Sequence, residues 1–158
     1  MIDVGERVAV LRDEVLDIVG GGDEDSPAVA IFDAIVRALS MGSDTSGGLD
    51  LTLHDAVSRR LAWGDTEETI LSAADLVYAR LARATQRAFR DPDEEMLVVD
   101  TAAEVVASAA RIVALAAVAR ASRDRAAALR EDMAQRRLKE ALAEQERSLA
   151  RLEKDRTF

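Results

Sequence analysis

The sequence predicts an all-α protein, and three observations support that prediction. Apolar residues make up 49% of the 158 residues, and along most of the chain they recur every three or four positions, the spacing of one helix face. Alanine, leucine and valine dominate, whereas aromatic residues account for only 3% and proline occurs twice. Neither glycine nor proline interrupts the chain between Glu94 and Arg156, so the last part is predicted to be one long helix.

The first two helices are predicted from an apolar stripe and from a capping pair. The stripe of the first helix consists of Val4, Val8, Leu11, Val15 and Ile18. The segment Gly20-Gly21-Gly22 ends this helix and is followed by an acidic turn. Ser26 is the expected N-cap of the second helix, with Pro27 at its first position. The buried face of the second helix is predicted to contain Ile31, Phe32, Ile35 and Leu39.

A polar, glycine-rich loop is predicted at residues 42–48. After it, a third helix is expected to begin near Thr52 and to end at Gly64. Its predicted apolar face contains Leu53, Val57 and Leu61.

The fourth helix is predicted from a capping-box pattern, because Asp65 is followed three residues later by Glu68. This helix is expected to run to about Arg90, where Asp91-Pro92-Asp93 breaks it, since a residue before proline avoids the helical region. Its apolar face is predicted to consist of Ile70, Ala74, Val77, Tyr78 and Leu81.

The last helix, Glu94–Arg156, would be about 90 Å long at 1.5 Å per residue, which is longer than a domain of this size is wide. We therefore expect two parts, a helical domain over residues 1–120 and an extended helix over residues 121–158. The domain part of the helix is rich enough in apolar residues to sit in a core; these residues are Leu97, Val98, Val105, Val106, Ala109, Ile112, Val113 and Leu115.

The extended part is mostly charged, and one seam in it has the alternating four-and-three spacing of a coiled coil: Leu138, Leu142, Gln145, Leu149 and Leu152. Ala126, Leu129 and Met133 fit a seam in a different phase, so we expect a short or discontinuous coil. A leucine seam on a charged helix cannot be buried by that helix alone. The simplest partner is a second copy, which predicts a homodimer; the alternative is a single solvated helix stabilised by salt bridges.

Composition excludes several classes of function. From Arg120 to Phe158 there are 11 basic and 8 acidic residues, which leaves 10 basic and 22 acidic residues in the preceding part. Because phosphate binding needs positive charge, we expect no nucleic-acid partner. Cysteine is absent, which excludes disulfides and thiolate metal sites and fits a cytoplasmic protein. The longest apolar run, Ile112–Ala119, is too short to span a bilayer, and the N-terminus is unlike a signal peptide, so no membrane is expected.

No catalytic, cofactor or metal site is predicted. His54 is the only histidine, so neither a Ser-His-Asp arrangement nor the paired Glu-x-x-His of a di-iron bundle has its parts. The carboxylate pairs Glu67/Glu68 and Glu94/Glu95 lie at predicted helix starts, where negative charge complements the helix dipole. The Gly-Gly-Asp-Glu-Asp segment at residues 21–25 joins two helices and is interpreted as a loop. We therefore expect a protein that is not an enzyme.

Four residues remain as candidates for ligand binding. Trp63 and Tyr78 stand out because aromatic residues are so scarce, and they are expected either to line a pocket or to be plain core residues. His54 is a candidate ligand contact or a partly exposed helix residue. Arg60 is a candidate anion contact or a surface residue that pairs with nearby carboxylates.

The segment at residues 59–71, Arg-Arg-Leu-Ala-Trp-Gly-Asp-Thr-Glu-Glu-Thr-Ile-Leu, and its continuation at residues 76–81 resemble the globin-like sensor domains of RsbR-type stressosome scaffolds and PucR-type regulators. The resemblance implies a globin-like fold over most of residues 1–120, with a last helix that leaves toward an output module. Related globin-coupled sensors hold heme through a histidine four positions before the equivalent of Gly64. Arg60 stands at that position here, and His54 lies six residues earlier, so the resemblance implies a member without heme.

Together these expectations describe a sensory and dimerisation module of a bacterial-type signalling protein. Its last helix would pair as a parallel coiled coil and relay a signal to an output domain or a partner protein. The alternative is a structural coiled-coil adaptor that binds no ligand. An enclosed pocket beside Trp63 and Tyr78 would favour the first hypothesis over the second.

Overall fold

The computed structural model describes residues 3–17, 24–41 and 46–157, and every regular element among them is an α-helix. The all-α prediction is therefore confirmed. The helices are α1 (Val4–Ala9), α2 (Arg12–Leu16), α3 (Pro27–Met41), α4 (Ser46–Ala62), α5 (Glu67–Ala88) and α6 (Pro92–Arg156).

The chain divides into two units, Met1–Ala117 and Val118–Phe158. In the first unit α3 is the central helix, and it packs against α1, α4 and α5, while α2 packs mainly against α5. The core contains the predicted apolar faces of these helices; its largest fully buried side chains include Phe32, Ile31, Ile35, Leu53, Ile70 and Leu81. The spacing of apolar residues thus correctly identified most of the buried positions.

The predicted first helix is two short helices rather than one. Leu11 separates α1 from α2, and its amide donates to Val8 O at 2.9 Å, a three-residue bond that tightens the turn. Val8 and Val15 are nevertheless both fully buried, so the predicted stripe faces the core across the break. Ile18 and the three glycines that follow lie outside the described residues.

Two predictions of helix starts have opposite outcomes. Ser26 caps α3 as predicted, since its Oγ accepts a hydrogen bond from Val29 N at 3.3 Å. The loop predicted at residues 42–48 is wrong in its second half, because α4 already begins at Ser46 and includes two glycines. Glycine costs about 1 kcal/mol in a helix relative to alanine, which is small enough for the following turns to outweigh it. Residues 42–45 lie outside the described part of the chain.

The junction between α5 and α6 lies two residues earlier than predicted, because α5 ends at Ala88 rather than near Arg90 and α6 begins at Pro92 rather than Glu94. Asp91 then begins the new helix by accepting a hydrogen bond from Asp93 N on its Oδ1 at 2.9 Å. The part of α6 in the first unit buries one face, formed by Val98, Ala102, Val105, Ala109, Ile112 and Val113.

The prediction that Leu97 and Leu115 belong to the core is wrong, because they are 50% and 65% exposed. The two leucines are 18 residues apart, which is five turns of about 3.6 residues, so they lie on the same side of α6. That side is rotated away from the buried face. On that side the residues between them include Thr101, Glu104, Ser108 and Arg111, so the two leucines are isolated apolar residues on a largely polar strip.

Arg7 of α1 contacts the start of α6. Its Nη1 lies 2.5 Å from Glu94 Oε2, and its guanidinium lies 4.1 Å from the centroid of the Phe89 ring, which is itself buried. The cation thus covers an aromatic ring and pairs with a carboxylate at the same time.

Candidate functional site

The turn between α4 and α5 contains Arg60 and Trp63, two of the four candidate ligand residues. Asp65 N donates to Arg60 O at 3.1 Å, and Gly64 N donates to Leu61 O at 3.2 Å. This pair of bonds is the Schellman motif that ends helices, and Gly64 supplies the positive φ, +105°, that the motif requires.

The side chains reinforce this turn. Arg60 Nε donates to Asp65 Oδ2 at 2.6 Å, and the guanidinium lies 5.5 Å from the centroid of the Trp63 indole. Helix α5 then begins one residue later than predicted, because Thr66 rather than Asp65 is the N-cap and its Oγ1 accepts from Thr69 N at 3.1 Å. Much of the segment that carries the family resemblance is thus a helix stop followed by a helix start.

Trp63 is 59% exposed and therefore is not a core residue. It lines an open groove between α3 and α4 together with charged side chains of both signs, among them Asp33, Arg37, Asp55 and Arg59. Tyr78 does not line this groove; it is half-buried and packs against the core from α5. The structure does not bring these two aromatic residues together.

His54 lies in the middle of α4 and is exposed, with Ser58 Oγ 3.4 Å from its Nδ1. It lines a separate, largely apolar groove between α4 and α6, whose other lining residues are Leu51, Ser108, Arg111, Ile112 and Leu115. The four candidate ligand residues are therefore distributed over three places in the first unit. The described residues contain no group of three or more histidine, aspartate or glutamate side chains that could hold a metal ion.

Helix α6 also exposes several large apolar residues in the first unit. Met96, Leu97 and Leu115 are each at least half-exposed, and Leu51 of α4 is exposed beside Leu115 in the groove just described. By length and composition, α6 is also the one helix among the described residues that could cross a membrane, although only 28% of its apolar window is buried. Core helices of soluble proteins pass the same test, so this finding is weak evidence for a membrane.

In the second unit, every described residue from 118 to 157 is exposed. The leucines of the predicted seam are 51–63% exposed; they are Leu138, Leu142, Leu149 and Leu152, with Gln145 between them. Two ion pairs, Arg136–Asp132 at 3.0 Å and Arg147–Glu144 at 3.2 Å, lie along the same helix. The seam is therefore an apolar strip that this chain by itself leaves in water.

The two apolar groups of the second unit lie on different sides of the helix. At about 100° per residue, the group Ala126, Leu129 and Met133 points roughly 150° away from the seam at residues 138–152. One straight two-stranded pairing cannot bury both. The longer group, with two heptads, is the better candidate for an interface.

Sequence reasoning missed a basic groove between α2 and α5. It is lined by Arg80, Arg83, Gln86 and Arg87 of α5 and by Glu14 of α2. Arg87 forms an ion pair with Glu14. The sequence does contain a signal for this groove, because the three arginines follow one another at spacings of three and four residues and so share a helix face.

No family model, no curated protein and no solved structure matches this chain. The function of the chain is therefore inferred from its own residues.

Proposed function

We propose that this chain is a non-catalytic sensory and dimerisation module of a bacterial-type signalling protein. Residues 1–120 form a globin-like domain without heme, and the rest of the last helix pairs with a second copy as a parallel coiled coil. A signal that changes the packing of the paired helices passes along this coil to an output domain or a partner protein. The observation that carries the proposal is the exposed leucine seam of α6 at residues 138–152, which a second copy of the same helix would cover.

The free energy that the seam leucines can contribute to a dimer can be compared with the cost of association. Fully burying a leucine contributes about 1.5–3 kcal/mol, so each half-exposed seam leucine has roughly 1 kcal/mol left to gain. Four leucines on each of two copies supply about 8 kcal/mol, which is comparable to the 4–15 kcal/mol that association costs in lost freedom. The seam alone is therefore a marginal interface. A stable dimer also needs contacts from the first unit, where Leu97 and Leu115 are exposed.

Light scattering of the full chain and of a truncation that ends at Arg120 tests this proposal. We expect the full chain to be a dimer, and a truncation that is also dimeric would show that the first unit contributes to the interface, which supports the sensory module. A monomeric truncation beside a dimeric full chain would show that the coil alone holds the pair, which supports an adaptor. A monomeric full chain would refute both dimeric functions.

The direction of pairing can be measured by disulfide trapping, because the chain contains no cysteine. In a parallel coil, Gln145 of one copy faces Gln145 of the other across the seam, so Gln145→Cys should form an intermolecular disulfide on mild oxidation. The matched control is Glu140→Cys, which lies on the outer side of the helix. In an antiparallel coil, position 145 faces position 142 or 149 of the other chain. Equal cross-linking of the two variants, or none, would contradict the parallel arrangement.

A structural adaptor without a ligand is the second candidate, and the position of Trp63 favours it. The indole is 59% exposed in an open groove and Tyr78 lies elsewhere, so the aromatic pocket expected of a sensor is not formed by this pair. An adaptor would need only the coil and the partners that it assembles.

A cytoplasmic location belongs to the same proposal. The exposed remainder of the apolar part of α6 contains Asp100, Glu104 and Arg111, charges that a lipid-facing helix would have to desolvate. Fractionation of cells that express the tagged full chain should recover it without detergent; recovery only in the membrane fraction would contradict this location.

A further inference from the structure

The basic groove between α2 and α5 is unusual for its surroundings. The part of the chain before Arg120 has 10 basic and 22 acidic residues, yet three of those basic residues, Arg80, Arg83 and Arg87, line one groove in which Glu14 is the one carboxylate among the described residues. The described lining residues therefore carry a formal charge of +2 in an acidic domain.

Two of the three guanidinium groups are free to bind a ligand. Glu14 pairs with Arg87, whereas Arg80 and Arg83 form no ion pair among the described residues. Arg80 is half-buried, so its side chain is held more firmly than that of an exposed arginine. Gln86 adds an amide that can donate at the edge of the groove.

The spacing of these arginines suits a tetrahedral oxyanion. Residues three and four apart on a helix are neighbours, so Arg80, Arg83 and Arg87 project from one strip of α5. Each guanidinium presents paired N–H groups that match two oxygens of a phosphate. A dianion placed between Arg80 and Arg83 would neutralise the +2 charge of the groove.

We propose that this groove is a binding site for a dianionic phosphate group, carried by a small soluble compound. The role of this site as the input of the sensory module rests on the proposed function. Phosphate binding at the site does not depend on the pairing of two copies. Phosphate attached to a partner's side chain has the same chemistry, so the probes are pyrophosphate for the free compound and O-phosphoserine for the attached form.

The test is a titration of the full chain with each probe, followed through the arginine Nε–Hε signals by NMR at constant ionic strength in sodium chloride. Two charge-assisted contacts at an open site correspond to a dissociation constant on the order of 1 mM. We expect the signals of Arg80 and Arg83 to shift saturably below roughly 20 mM probe. The probe that binds more tightly identifies the source of the phosphate.

Variants distinguish this site from general attraction to positive charge. The double variant Arg80→Gln with Arg83→Gln should weaken binding at least about tenfold, whereas Arg90→Gln, which removes an exposed arginine outside the groove, should leave it unchanged. Glu14→Gln removes the one negative charge in the lining and should tighten binding, an effect that misfolding cannot produce.

Two results would overturn the site: shifts that chloride alone reproduces, or equal binding by the double variant and the parent. The mass of the full chain measured with and without pyrophosphate separates the two proposals. A dimer that binds no probe refutes the groove only, and a monomer that binds it refutes the dimeric module only.

Discussion

Gly5 lies where α1 crosses the end of α3, and replacing it with alanine tests how closely these helices pack. A Cβ at Gly5 would lie 2.0 Å from Ser40 Oγ, 3.0 Å from Ser40 N and 3.1 Å from Ser40 Cβ. The hydroxyl can rotate away, but the backbone nitrogen and Cβ cannot. The two helices would have to separate by a few tenths of an ångström.

Two effects of opposite sign decide the outcome of Gly5→Ala. Alanine is better than glycine in a helix by about 1 kcal/mol, and by less in a first turn such as this one. Forcing extra atoms into a close contact costs about 1–3 kcal/mol. We therefore expect the free energy of unfolding to fall by about 1–2 kcal/mol, which lowers Tm by roughly 3–6 °C for a chain of this length.

The assay is thermal and urea unfolding followed by circular dichroism, at one fixed protein concentration because pairing makes stability concentration-dependent. Ser40→Gly removes two of the three close atoms, so a double-mutant cycle with Gly5→Ala should give a coupling of about 1 kcal/mol. Gly64→Ala is the matched control. Its Cβ would meet no atom within 4 Å, so its cost of about 1–2 kcal/mol comes from the positive φ.

The reasoning would be refuted if Gly5→Ala were as stable as the parent chain. It would also be refuted if Ser40→Gly rescued Gly5→Ala and Gly64→Ala to the same extent, because the second position has no contact with Ser40.

For three further substitutions, the structure determines whether the free energy of unfolding should rise or fall. Arg7→Ala removes the partly exposed ion pair with Glu94 and uncovers Phe89, so urea unfolding should show a loss of about 1–2 kcal/mol; an unchanged midpoint would contradict this. Thr85→Val should raise the free energy of unfolding by about 1 kcal/mol, because the fully buried Thr85 Oγ1 has no hydrogen-bond partner among the described residues; a less stable variant would show that the hydroxyl does have one. Thr66→Ala removes the N-cap of α5 and should cost about 1 kcal/mol, whereas Thr66→Asp, which keeps a capping oxygen, should cost little.

Helical periodicity predicted the buried faces well because burial repeats with the period of the helix. Val98, Val105 and Ala109 were predicted from spacing and are buried. Leu97 and Leu115 are large and apolar but lie out of phase with that face, and they are exposed. Phase is therefore a better criterion for burial on a long helix than apolar character alone.

Local chemistry predicted helix ends to within a few residues but did not predict their partners. Ser26 was identified as a cap, and Gly64 as a stop. The ion pair between Arg60 and Asp65 was not predicted, since it depends on the exact geometry of the turn. That pair gives Arg60 a structural role in ending α4, a simpler explanation of its position than contact with a ligand.

The candidate site was the hardest part to predict, because it depends on which helices pack together. The scarcity of aromatic residues drew attention to Trp63 and Tyr78 but carries no information about where they lie. The strip of arginines on α5 is visible in the sequence, whereas the packing of α2 against α5, which brings Glu14 to Arg87, is not.

The seam leucines outweigh the exposed ion pairs of the second unit once two copies are paired. Exposed ion pairs such as Arg136–Asp132 and Arg147–Glu144 contribute about 0.3–0.5 kcal/mol each, and they form with or without a second copy. Covering the four seam leucines of each copy would supply about 8 kcal/mol for the pair, which is comparable to the cost of association. Under the proposed pairing, the helicity of residues 118–157 should therefore depend on protein concentration more than on salt.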